Sequence, residues 1–134
     1  MNMFSILSKS RAAEWTLRIA VAGEFIGHGV FALQGKEGWF KYFTPFGFTN
    51  EETMVTILLL VGIMDLLLAA MVLIKPIKPL ILWMAFWGLW TAMIRWPFGP
   101  DPVWDFVERF ANWGAPLALL FILGWPKTWK DWWK

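Results

Sequence analysis

The chain has 134 residues, 58% of them hydrophobic and 16% charged, which is too apolar for an ordinary soluble domain. A formal net charge of +2 offers no nucleic-acid footprint. With no cysteine and a single histidine, the sequence excludes disulfides, iron–sulfur clusters, thiol redox chemistry and a bis-histidine haem within one chain.

Four apolar segments are predicted to cross a membrane, each close to the roughly 20 residues a bilayer requires. The first runs from about Trp15 to Leu33 and carries Arg18, Glu24 and His28, unlike a signal-peptide core, so no cleavable leader is expected. Gly35, Gly38, Pro45 and Gly47 then punctuate a loop. The second span runs from about Thr53 to Ile74 and holds Asp65 near its middle. The run Lys75-Pro76-Ile77-Lys78-Pro79 forces a tight turn into a third, short span from about Pro79 to Trp96, which ends on Arg95. Pro97, Pro100 and Pro102 close that helix, because proline lacks an amide donor and restricts its predecessor. Asp101 is expected to cap the fourth span, from about Val103 to Gly124, with Pro102 at its first position. Pro116 should kink this last helix or free a carbonyl within it.

Lys9, Arg11, Lys75, Lys78, Lys127, Lys130 and Lys134 fall on one side of these spans. The other side has Lys36 and Lys41, diluted by Glu37, Glu51, Glu52, Asp101 and Asp105. The positive-inside rule therefore puts both termini in the cytoplasm and the chain in the inner membrane as a multi-pass protein. Trp125, Trp129, Trp132 and Trp133, interleaved with lysines, read as an interfacial anchor. No internal repeat is evident, and the short connections predict one domain, an all-α four-helix bundle with antiparallel neighbours.

Charges inside such a bundle need partners, since an ionised residue at a helix centre costs about 2.5–3.5 kcal/mol on insertion scales. The spacing places Glu24 and His28 on one helix face, and Glu108 and Asn112 on another. The topology brings Glu24, His28, Asp65, Arg95, Glu108, Arg109 and Asn112 to the outer half of the bundle, three carboxylates facing two guanidiniums and an imidazole. Two readings stay open: a network that fixes helix register, and a ligand or proton-exchange site. One imidazole among arginines argues against a metal, and His28 is expected to serve as a hydrogen-bond partner rather than a redox group. Gly23 and Gly27 have small-xxx-small spacing, which suits internal packing or a partner helix. Trp83, Trp87 and Trp90, with Phe86, form a stripe that suits helix or lipid contact and would also suit a quinone ring or a pigment.

The segment Arg18–Leu33, with its arginine, spaced glycines and His28-Gly29 pair, resembles the first helix of DoxX-like membrane proteins. The run Val61–Asp65 resembles that family's second-helix pattern of an acidic residue after a glycine, with aspartate here where glutamate is commoner. Thr91–Arg95 and Val107–Leu120 look like the close of the third helix and the start of the fourth. The resemblance implies a four-helix membrane bundle. Some members of the family are small subunits of quinone-linked enzymes. The small size and apolar aromatic surface fit an accessory subunit of a larger, quinone-linked respiratory or photosynthetic electron-transfer complex, acting by assembly or stabilisation. The alternative is a quinone-linked oxidoreductase component with a proton-exchanging polar cluster. The expected partners are other membrane subunits, lipids and a quinone or pigment, with no cofactor held by ligands of its own and no catalysis of its own.

Overall fold

Helix boundaries follow the capping chemistry. In a computed structural model that describes residues 2–134, α1 (Met3–Leu33) starts at Asn2, whose side chain accepts from the Ser5 amide over 2.9 Å. This cap starts the helix well before Trp15, so α1 is longer than its apolar stretch. Asn50 caps α2 (Glu51–Ile74) in the same way, accepting from the amides of Glu52 and Thr53, and Glu51 and Glu52 occupy the first turn, where the helix dipole favours negative charge. Between these helices the loop folds into two short 3-10 turns, Glu37–Tyr42 and Thr44–Phe46, and Gly47 ends the second at a φ of 88°.

α3 (Lys78–Met93) stops before the expected end at Trp96. Its 16 residues span about 24 Å, short of the roughly 30 Å hydrocarbon core. The fourth predicted span is interrupted: α4 (Val103–Val107) and α5 (Phe110–Leu123) flank a turn at Glu108 and Arg109. There the Arg109 guanidinium takes the Asp105 carbonyl over 2.8 Å, while the Arg109 amide bonds to Phe106 instead. A side chain thus replaces the backbone donor that a continuous α-helix would supply. Pro102, not Asp101, is the N-cap residue of α4, and no side chain caps that helix.

α1 packs along α2 and also against α5, and α5 packs on α3, whereas α2 and α3 barely touch although only Lys75–Ile77 separates them. The expectation that every pair of sequence neighbours would pack together fails at this pair. Two glycine contacts set the close approaches. A Cβ on Gly62 of α2 would lie 2.8 Å from the Gly29 carbonyl oxygen of α1. A Cβ on Gly88 of α3 would lie 2.2 Å from the Asn112 carbonyl oxygen of α5. That carbonyl is the one Pro116 leaves without an amide four residues on.

The hydrophobic core occupies the Lys75–Lys78 half of the molecule, where Val21, Phe25, Leu68, Val72, Ile81, Met84, Leu119 and Leu120 interlock. The outer surface is apolar as well, with Leu60, Leu67, Phe86 and Phe121 exposed. α1, α2 and the Val103–Leu123 run are long and apolar enough to cross a membrane.

Candidate ligand cavity

The divergence of α2 from α3 opens a cavity of about 330 Å³, within the range of small-molecule sites. Ile57, Leu58, Val61 and Asp65 of α2 form one wall, and Trp87, Trp90 and Thr91 of α3 form the other. The Glu37–Phe48 loop supplies a roof of Trp39, Tyr42, Phe43, Phe46 and Phe48. Ring contacts hold that roof down: Phe46 lies 5.7 Å from Trp90, and Trp39 sits edge-on to His28 at 5.8 Å.

Five of the residues singled out in the sequence line this cavity: His28, Asp65, Arg95, Trp87 and Trp90. The aromatic stripe divides, with Trp87 and Trp90 on the cavity while Trp83 and Phe86 are exposed. Glu24 is half-buried and within Coulombic range of Asp65. Glu108 departs from the expected cluster. Its side chain is 61% exposed and pairs at 2.5 Å with its neighbour Arg109. The break between α4 and α5 turns Glu108 outward, whereas Arg109 stays partly buried within Coulombic range of His28 and Arg95, and Asn112 contributes its backbone to the contact with Gly88. Arg95 is therefore not neutralised by Glu24, Asp65 or Glu108.

Arg95 instead donates from Nη1 to the Tyr42 phenol oxygen. Tyr42 donates to Asp101 Oδ2 over 2.6 Å, Lys41 donates to Asp101 Oδ1 over 2.8 Å, and Arg95 lies 3.9 Å from the same carboxylate. The Arg95 guanidinium also sits 4.7 Å from the Tyr42 ring centroid. This network ties the cavity roof to the loop after α3. Burial pushes the Asp101 carboxyl upward, but hydrogen bonds from Lys41 and Tyr42 and the charges of Lys41 and Arg95 outweigh it, so the group lies below the usual carboxylate value. The Tyr42 phenol is raised, chiefly by burial and further by its bond to Asp101. Neither Tyr42 nor Asp101 was expected in the site. The available signals were that Tyr42 is the only tyrosine and that Asp101 lies between two prolines.

Two polar atoms on the cavity residues have no partner. Asp65 is 1% exposed, and its Oδ1 accepts no hydrogen bond; Arg95 Nε is buried and donates none. A buried orphan acceptor and a buried orphan donor in one apolar chamber form a recognition pattern, since leaving each unsatisfied costs about 1–3 kcal/mol or more. Among the described residues, no group of three His, Asp or Glu side chains is arranged to hold a metal.

Comparisons with known proteins identify no relative: no family model, no curated protein and no solved structure matches the chain. Fold and cavity together define an all-α protein with apolar, membrane-length helices and one aromatic chamber that carries charge at its edge.

Proposed function

We propose that this chain is a small accessory membrane subunit that contributes a quinone-class ligand site to an electron-transfer assembly. It would sit in the inner membrane as a four-helix bundle with both termini cytoplasmic. The DoxX-like resemblance of Arg18–Leu33 and Val61–Asp65 agrees with this reading, and the lysine distribution supports the orientation.

The observation that carries the reading is the pairing of orphan Arg95 Nε and orphan Asp65 Oδ1 in an aromatic cavity between α2 and α3. Arg95 Nε–H can donate to a ring carbonyl. The Asp65 carboxyl can accept from a ring hydroxyl, or donate when it is itself protonated. Trp87 and Trp90 offer faces for a planar ring, and the gap between α2 and α3 lets an apolar tail leave toward lipid. When bound, a quinone would supply electron and proton acceptance, and the residues here would bind and orient it.

The test is thermal unfolding of the purified full chain in detergent with a short-chain quinone, for the wild type and for Val61→Phe, which fills the cavity. Saturable stabilisation of the wild type, reaching about 2.7 kcal/mol at a hundredfold excess over Kd and absent from Val61→Phe, is the expected result. An unshifted wild type, or an undiminished shift in Val61→Phe, would remove the site from this cavity.

An assembly role has its own support. Gly23 and Gly27 are exposed on α1, and a Cβ on either would meet nothing within 4 Å, so the internal packing expected of them falls to Gly29 and Gly62. The small-residue face is left for another membrane helix. Because the chain has no native cysteine, Gly27→Cys gives a clean crosslinking probe in membranes of the host cell. Crosslinking to a discrete membrane subunit supports this part of the reading, and labelling only by lipid-soluble reagents counts against it.

A further inference from the structure

At the end of the molecule opposite the cavity roof, a second hollow of about 230 Å³ is enclosed by two segments, Lys75-Pro76-Ile77-Lys78 and Trp132-Trp133-Lys134. Three of its seven lining residues are lysines. Lys78 is only 7% exposed, yet among the described residues no hydrogen bond or ion pair engages its ammonium. Its Nζ lies near Gly124, at the C-terminal end of α5, where the helix dipole favours a cation but no acceptor reaches it. Lys75 is exposed and likewise has no partner among the described residues. Lys134 is partly committed, since its Nζ lies 3.2 Å from Asp131 Oδ1. That leaves two uncommitted ammonium groups and a third shared one around a single hollow.

The same hollow adjoins the start of α3, where Ile77 is the N-cap residue and no side chain caps the helix. Pro79 has no amide and the Leu80 and Ile81 amides bond to the Ile77 carbonyl, so among the described residues the Lys78 amide is the first-turn donor left beside the lysine cluster. An ammonium on a largely buried side chain, opening onto a hollow that two further lysines line, suits an anion, and the adjacent Lys78 amide can donate to one of its oxygens. Trp132 and Trp133 form the opposite wall, as amphipathic rings do at headgroup depth.

We infer that the Lys75–Lys78 turn and the Trp132–Lys134 segment form a binding site for a phosphate group, supplied by the headgroup of an anionic membrane lipid. The site is separate from the aromatic cavity and does not depend on a quinone binding there. Lys78 holds the phosphate through its ammonium and its backbone amide, Lys75 and Lys134 close over it, and the tryptophans flank the glycerol and upper acyl chain.

The experiment is native mass spectrometry of the delipidated full chain released from detergent after incubation with equimolar phosphatidylglycerol and phosphatidylcholine, with and without millimolar inorganic phosphate. One phosphatidylglycerol per chain should be retained in preference to phosphatidylcholine, and inorganic phosphate should not displace it. Lys75→Gln and Lys78→Gln should each weaken retention about fivefold, the effect of removing one juxtamembrane cation. If Lys78→Gln does not fold, the exposed positions decide the matter through Lys75→Gln and Lys134→Gln. Equal retention of both lipids, or retention unchanged in the exposed-lysine variants, overturns the site. Displacement by inorganic phosphate overturns the lipid source and assigns the hollow to a soluble phosphate.

Discussion

Arg18 of α1 donates from Nε to the Val72 carbonyl oxygen of α2 over 2.8 Å. Its Nη2 donates to Leu73 over 2.6 Å, its guanidinium lies 3.9 Å from the Trp15 ring centroid, and Glu14 stands 3.6 Å away. The last carbonyls of a helix have no intrahelical donors and carry partial negative charge, so a cation from the neighbouring helix satisfies both deficits. Arg18→Met should lower stability in detergent by about 2–4 kcal/mol, the loss of two charge-assisted hydrogen bonds at a buried helix end. Arg11→Met, at an exposed position of the same helix, should stay within about 0.5 kcal/mol of wild type. Equal thermal midpoints for the two variants would refute the capping role.

The glycines give a paired prediction. Gly88→Ala would drive a methyl group into the Asn112 backbone, an obstacle that no side-chain rotation relieves, and should destabilise by about 1–3 kcal/mol or more. Gly27→Ala meets open space and should be neutral or stabilising by up to about 1 kcal/mol through helix propensity. Unfolding curves of the two variants, recorded in the same detergent, check the contrast.

How much of this was legible follows from where the information sits. The end of α2 was readable because an unbroken apolar run stops at Lys75 and Pro76, whereas its start, expected near Thr53, lies at Glu51 because Asn50 caps the helix from outside the apolar run. The start of α1 was not, because Met3–Glu14 carries no continuous apolar signal and Asn2 supplies the cap from outside the hydrophobic stretch. His28, Asp65 and Arg95 share a depth that helix periodicity and span order make visible, and all three line the cavity. Glu108 lies outside because the helix is not straight through Arg109, where a side chain has taken a backbone carbonyl. The roof residues were hidden because a loop carries no periodicity, and Tyr42 meets Asp101 across 59 residues of sequence.

Acid should loosen the cavity roof. The folded-state value of Asp101 lies below its unfolded value, so its contribution is present above about pH 4 and is lost as pH falls through the lower, folded value. Tyr42 is raised, so its contribution holds below about pH 10 and is lost as pH rises through its folded value. Amide exchange in residues 37–48 should therefore show excess opening at both extremes, after correction for intrinsic rates. Asp101→Asn should flatten the acid limb while leaving α2 exchange unchanged. An acid limb that survives in Asp101→Asn would move the titration to another group.

Asp65 separates a stability role from a recognition role. A carboxyl group that is 1% exposed with an unbonded oxygen weakens the ligand-free protein, and the adjoining cavity has room for a larger apolar side chain. Asp65→Leu should therefore raise stability by about 1–3 kcal/mol without ligand, because it removes a desolvated polar group and fills space. The same variant should lose the quinone-dependent shift, because the ligand's hydroxyl or carbonyl no longer has a polar partner on α2. Asp65→Asn keeps the shape and one acceptor oxygen but cannot exchange a proton, so it should retain part of the binding shift without any pH dependence. A register-fixing role gives the opposite pattern: Asp65→Leu would then destabilise the ligand-free chain by several kcal/mol, as when one member of a buried ionic network is removed. Thermal unfolding of the three proteins, with and without short-chain quinone and at two pH values, distinguishes these outcomes.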